Sequence, residues 1–158
     1  GPNRYYDYNH KFIDEIFIKI KNNFINKDYQ LIFIPSMRTP QGIIDKAKNY
    51  FDKNQVIITN VDKKAYLSSL KLADYIIVTC DSTSMISEVA ITGKPIYIAH
   101  MPPIKKNYRF KKFFKLFKSL NIIKDLENSV DDWNYEKLNE TDKISSYIKE
   151  KYKNYDFS

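Results

Sequence analysis

Between strand and helix the chain reads Cys80-Asp81-Ser82-Thr83-Ser84-Met85-Ile86-Ser87-Glu88. A cluster of hydroxyls at this point serves a helix start, because Ser and Thr accept a hydrogen bond from an otherwise orphaned backbone amide. One of Ser82, Thr83 and Ser84 has to act as an ordinary N-cap. The others, with the open amides of the helix N-terminus, suit an anion such as phosphate. Glu88 lies further along that helix, where a carboxylate can accept from a ribose diol. As a mere helix-dipole acid it would contribute about 0.3–1 kcal/mol. A second loop, Ser36-Met37-Arg38-Thr39, places a hydroxyl and a guanidinium at another strand end. Arg binds phosphate through two parallel hydrogen bonds and does not titrate away. The same loop also reads as an Arg paired with a surface carboxylate beside a routine cap. Together the two loops suggest a pocket for a nucleotide diphosphate, with Asp81, Ser82, Thr83, Ser84, Glu88, Ser36, Arg38 and Thr39 as candidate contacts.

Other chemistries find less support. The chain has no G-x-G-x-x-G run and no Walker loop, which argues against dinucleotide and P-loop nucleotide binding. No His/Cys set has zinc spacing, and no Asp-x-Asp pair stands ready for a divalent ion. Neither a metal nor a bound cofactor is expected, the nucleotide sugar being a substrate. His10 and His100 are the only histidines, and no Ser-His-Asp set can be assembled from them. Tyr108 and Lys112 have the Tyr-x-x-x-Lys spacing of an epimerase, but without the dinucleotide fingerprint the spacing reads as chance. Cys80, the single cysteine, excludes an internal disulfide and fits a reducing compartment. It reads as a buried structural residue rather than a nucleophile.

Short apolar strands alternating with helices must hold these loops in place. Phe12, Ile16, Ile20 and Phe24 recur every four residues and predict an amphipathic helix over Asn9–Phe24. Leu31–Ile34, Val56–Ile58, Tyr75–Thr79 and Pro95–Ala99 read as strands. Helices are expected after Thr39-Pro40 (an N-cap and an N1 proline), over Ala65–Leu72 behind an Asp62 cap, and over Ser84–Thr92. This pattern predicts an α/β fold, a Rossmann-like parallel sheet with helices on both faces. Ligands of such folds sit beyond the carboxyl ends of the strands, where all the candidate loops fall. After Lys105 the pattern turns helical, with Phe110, Phe113, Phe114, Phe117 and Leu120 on one stripe. Glu140–Tyr152 reads as a further, polar helix. No linker interrupts residues 1–158, which read as one domain.

The chain holds 158 residues, 43% hydrophobic and 28% charged, sufficient for a packed core. Its formal net charge is +7, which favours an anionic partner. From Val89 to Lys124 there is no acid, while lysines and Arg109 crowd Lys105–Lys118. That helix reads either as a surface helix packed on the sheet or as a face for an anionic membrane or an acceptor phosphate. Nothing points to nucleic acid. No apolar run approaches the roughly 18–20 residues a membrane span needs. The expected location is the cytoplasm, with attachment at the periphery of the inner membrane as an option.

Two resemblances follow from the motifs. Val56–Pro102 resembles the donor-binding half of GT-B glycosyltransferases, nearest the lipid-linked N-acetylglucosaminyl transferases of peptidoglycan synthesis. The chain as a whole is similar to the mitochondrial-fission "elongated mitochondria" family and its bacterial relatives. The matching pieces are Gly1-Pro2-x-x-Tyr5-Tyr6, Ser36-x-Arg38-Thr39-Pro40, Val78-Thr79-x-Asp81-Ser82-x-Ser84-Met85-x-Ser87-Glu88, Thr92-Gly93-Lys94-Pro95, Trp133-x-Tyr135 and Leu138-Asn139-Glu140-Thr141-Asp142. The resemblance implies a GT-B C-terminal half that binds a nucleoside diphosphate sugar without metal. Gly1, Pro2, Asn3 and Ser82–Ser84 would approach the diphosphate, and Glu88 would hold the ribose. Asn60 and Val61 would border the base, while Ser36, Arg38 and Thr39 would line the phosphate or sugar side. It further implies a fragment, with a first strand and an N-terminal domain preceding Gly1. That domain would supply the acceptor site, and this chain alone would not turn over. The alternative is a non-catalytic module on the same scaffold that meets membranes or proteins through its basic surface.

Overall fold

A computed structural model describes residues 1–127 and 129–138 of the chain; the expected helix over Glu140–Tyr152 lies outside them. The first element, α1 (His10–Asn23), begins where the Asn9 side chain accepts from the Lys11 amide at 2.9 Å. Ile13, Ile16, Phe17 and Ile20 recur at helical spacing and are buried, so one face of α1 drives its packing. A short 3-10 turn over Ile25–Lys27 leads to β1 (Ile32–Phe33). The chain then forms α2 (Gln41–Tyr50), β2 (Val56–Ile57), α3 (Lys63–Leu72), β3 (Ile76–Thr79) and α4 (Thr83–Ala90). It continues through β4 (Ile96–Ala99), α5 (Tyr108–Ser119) and β5 (Ile123–Asp125).

Among the described residues the strand pairings are all parallel and form two sheets, β1-β2 and β3-β4-β5, in the Rossmann-like α/β class expected. β1 pairs with β2 through Ile32↔Val56 and Phe33↔Ile57. β4 lies between β3 and β5, with Ile76↔Ile96 on one side and Ile96↔Ile123 on the other. Every residue of β4 is buried, as a strand flanked by neighbours and covered by helices must be. The α4–β4 connection turns at Gly93, whose φ of 75° lies in the left-handed region that favours glycine.

The fifth strand corrects the sequence reading, which ended the sheet at Ala99. Ile122 and Ile123 are only two apolar residues among polar ones, too few to show a period. What reveals the strand is its parallel partner β4. The correction explains the aromatic stripe of α5. That helix is the β4–β5 crossover, and Phe114 and Phe117 are buried beneath it, with Phe113 stacked on Phe117 at 4.0 Å between centroids. Leu120, expected on the stripe, is exposed, because it lies past the last helical turn.

The segment after β5 also returns to the core. The Asp131 amide donates to Tyr97 Oη at 2.7 Å, and that hydroxyl donates to the Asp131 carbonyl at 3.0 Å. Trp133 packs edge-on against Tyr97 and donates from Nε1 to the Asn121 carbonyl at 2.8 Å. Tyr135 reaches the carbonyl of Ala90, at the end of α4, at 3.2 Å. Helix α4, which carries the candidate Glu88, is thereby held at its far end. Among the described residues, no helix is long and apolar enough to cross a membrane.

Candidate functional site at the carboxyl edge of the strands

Asp81 follows β3 by two residues, and its side chain is 1% exposed. A carboxylate that deeply buried has to find partners, and it finds them on two other segments. The Gly1 nitrogen donates to Oδ2 at 2.8 Å, Arg38 Nη2 donates to the same oxygen at 3.1 Å, and the Tyr8 hydroxyl donates to Oδ1 at 3.3 Å. Asn3 adds a bond from Nδ2 to the Asp81 carbonyl at 2.9 Å. The loop leaving β1, the turn leaving β3 and the N-terminal segment therefore meet at one carboxylate. Burial, then the Asp81 charge, pushes the Tyr8 phenol well above its ordinary value, which keeps it a neutral donor.

The N-terminal segment is shaped for this contact. Asn3 Oδ1 accepts from the Tyr5 and Tyr6 amides at 2.8 and 3.0 Å, an Asx-type turn. Tyr6 then bridges to Pro103, and the Ile104 amide donates to the Tyr5 carbonyl at 2.7 Å. The loop after β4 thereby joins the cluster. A side chain at Gly1 would run into the Arg38 backbone, since a Cβ there would lie 2.4 Å from its carbonyl. Arg38 Nη1 also reaches the Pro2 carbonyl at 3.5 Å.

Around this hub the predicted residues divide. Gly1, Pro2, Asn3, Arg38 and Asp81 come together, but their polar groups largely serve one another. The Asp81 carboxylate faces its protein partners, so its place is that of a positioning residue. The Arg38 side chain remains 46% exposed, leaving guanidinium donors at the rim. In the loop after β1, Thr39 Oγ1 accepts from the Ser36 amide at 2.9 Å and lies 3.1 Å from Ser36 Oγ. Thr39 is therefore not the cap of α2. Pro40 occupies the N-cap position rather than N1, and no side chain caps that helix. The Thr39 hydroxyl closes its own turn instead, and the helix begins one residue later than expected.

On α4 the N-cap is Ser82, whose Oγ accepts from the Met85 amide at 3.3 Å. The Thr83 and Ser84 amides precede the first intrahelical bond, and their hydroxyls stand at the helix start with Ser84 exposed. Glu88 is four residues beyond Ser84, on the same face and about 6 Å along the axis; it too is exposed. Cys80 is buried, receives the Met101 amide on Sγ at 3.3 Å, and is pushed up to about 11 chiefly by burial. A thiol so placed is structural. Asn60 and Val61 sit exposed in the loop between β2 and α3, beside Asp62, which caps α3 through the Ala65 amide at 3.0 Å.

One residue in the region escaped the sequence reading of the site. The Tyr66 hydroxyl, on α3, is buried without a hydrogen-bond partner among the described residues. Burial, then the charge of nearby Glu88, pushes it up to about 12. A buried donor left unmade costs roughly 1–3 kcal/mol, and the charged acceptor beside it is Glu88. No local pattern marks such a residue, because its nearness to Glu88 crosses from α3 to α4. No group of His, Cys, Asp and Glu side chains among the described residues is placed to hold a metal.

Comparison with known proteins shows the chain's family. The family model described as mitochondrial fission ELM1 matches residues 1–152. An uncharacterised protein of Rickettsia prowazekii is 33% identical over 140 residues, covering 81% of this chain and 39% of that protein. A mitochondrial fission protein ELM1 of Arabidopsis thaliana is 29% identical over 106 residues, covering 65% of this chain and 24% of that protein. The chain thus spans well under half the length of these curated relatives. No solved structure matches it. With the family pattern running through the N-terminal segment, the β1 loop and the α4 turn alike, the chain belongs to the mitochondrial fission ELM1 family.

Proposed function

We propose that this edge binds the diphosphate and ribose of a nucleoside diphosphate sugar, as the donor side of a GT-B-type glycosyltransferase-like protein. The observation that carries the reading is the Asp81 hub. It draws the loops leaving β1 and β3 together at the carboxyl edge of the strands, where α/β folds bind ligands. Arg38 then stands at the rim beside a helix start with open amides, a combination suited to pyrophosphate. Glu88 accepts from the ribose hydroxyls, and Tyr66 is a positioning residue that can donate to the Glu88 carboxylate. Arg38 and the α4 amides stabilise charge on the departing diphosphate, with no metal required of the protein. The domain that precedes it in a longer protein supplies the acceptor.

Isothermal titration of the 158-residue chain with uridine, guanosine and adenosine diphosphates tests the reading. Binding in the micromolar class to at least one of them is expected. Glu88→Ala is expected to weaken it about tenfold, or 1.4 kcal/mol, and Tyr66→Phe by less. Absence of binding at millimolar nucleotide, or equal affinity in Glu88→Ala, overturns it.

A further inference from the structure

The outer face of α5 does none of the work so far described. Its inner side holds the fold through Phe114 and Phe117, and Tyr5 and Tyr6 pack on Phe110 with centroids 5.8 and 5.5 Å apart. Outward stand Lys105, Lys106, Arg109, Lys111, Lys112 and Lys115, all exposed and none in an ion pair among the described residues. Lys118 differs, because Asp125 holds it at 2.5 Å. The acid-free run from Val89 to Lys124 leaves the six without a local counter-charge. Solvation alone would suit such a face if every residue on it were polar. Instead Ile104, Tyr108, Leu116 and Leu120 are 56%, 74%, 54% and 49% exposed among the cations.

We infer that this face docks on an anionic lipid bilayer, lying in the interface with its cations over acidic headgroups and its apolar side chains at the acyl boundary. Two features choose a bilayer over other polyanions. Nucleic acid would use the cations but has no place for Leu116 and Leu120. An acidic protein surface would need a continuous apolar patch to bury, whereas these side chains stand singly along α5 and at its two ends. A bilayer accepts each of them separately, and attraction to anionic lipid adds to the apolar burial. The inference is independent of the nucleotide reading, since α5 contributes no residue to the Asp81 edge or to the Tyr66–Glu88 pair.

Vesicle co-sedimentation of the 158-residue chain tests it, comparing phosphatidylcholine alone with phosphatidylcholine containing about 30% phosphatidylserine. Binding is expected only with phosphatidylserine and should fall several-fold when salt rises from about 0.1 to 0.5 M. Joint Lys111→Glu, Lys112→Glu and Lys115→Glu should reduce it at least roughly tenfold. Joint Leu116→Ser and Leu120→Ser should weaken it several-fold while leaving its salt dependence unchanged. All these positions point outward, and circular dichroism should show unaltered folding. As a control, Lys63→Glu, Lys64→Glu and Lys71→Glu on α3 should leave binding nearly intact. Three results overturn the inference: no binding to phosphatidylserine vesicles at low salt, an equal loss from the α3 changes, or tighter binding to a DNA duplex than to vesicles.

Discussion

The Asp81 edge and the outer face of α5 are both charged, and they use charge in opposite ways. At the edge one carboxylate is buried and shared among Gly1, Arg38 and Tyr8. On α5 and the loop that leads into it, six cations face solvent with no ion-pair partner among the described residues. Buried charge must be satisfied inside the fold, so the edge is architecture first, and what the proposed ligand would meet is the remainder: part of Arg38, the α4 amides and Glu88. Exposed cations on a helix contribute little to stability, so the α5 face can be altered without loss of the fold. The difference predicts that changes at the edge register first as stability, and changes on α5 only as binding.

The sharpest way to break that contrast is Asp81→Ala. It removes the acceptor that Gly1, Arg38 and Tyr8 share and releases the segments it ties, and it should lower unfolding free energy by about 3 kcal/mol in urea melts. A loss under 1 kcal/mol would mean the hub does not hold the edge together. Next in size is the pH dependence set by Cys80. Its folded value, about 11, lies above the ordinary 9.0, so the neutral thiol is favoured in the fold. The stabilisation is complete below pH 9 and is lost as pH rises toward 11. Wild type should lose about 2 kcal/mol more than Cys80→Ala over that interval.

Tyr97→Phe sharpens the comparison from within the core. It leaves the Asp131 amide and carbonyl unpaired and should cost about 1–2 kcal/mol in the same melts. Smaller still is Asp125, beside α5. Burial alone would raise its carboxyl, but hydrogen bonds from Lys118 and His100 outweigh that and hold it below 3.8. Its contribution is present above the unfolded value and is lost as pH falls through the lower folded one. Because the group is partly exposed, an acid titration of stability in wild type and Asp125→Asn should differ by well under 1 kcal/mol. Smallest is Lys112→Gln, which should leave the melting temperature unchanged while weakening vesicle binding.

Much of this was legible along the chain. The strands β3 and β4 are apolar runs between turn residues, and their order with α3 and α4 implies parallel pairing. The α4 start was visible because capping is local: Ser82 and the Met85 amide are three residues apart. The Asp62 cap of α3 was visible for the same reason. Thr39 shows where local reading fails. Two local hydrogen-bonded turns compete for its hydroxyl, and the one with Ser36 prevails. β5 carries too few apolar residues to announce itself and exists because β4 offers an open edge.

By itself, then, the amino-acid order determined the α/β alternation, the capped starts of α3 and α4 and the gathering of polar residues in the strand-end loops, since each depends on side chains within a turn of one another. Tertiary structure alone decided that Asp81 turns inward to Arg38, 43 residues away in sequence, that Tyr66 lies beside Glu88, and that the α5 lysines face outward unpaired. Those outcomes depend on which groups burial strips of water, and burial is a property of the packed whole.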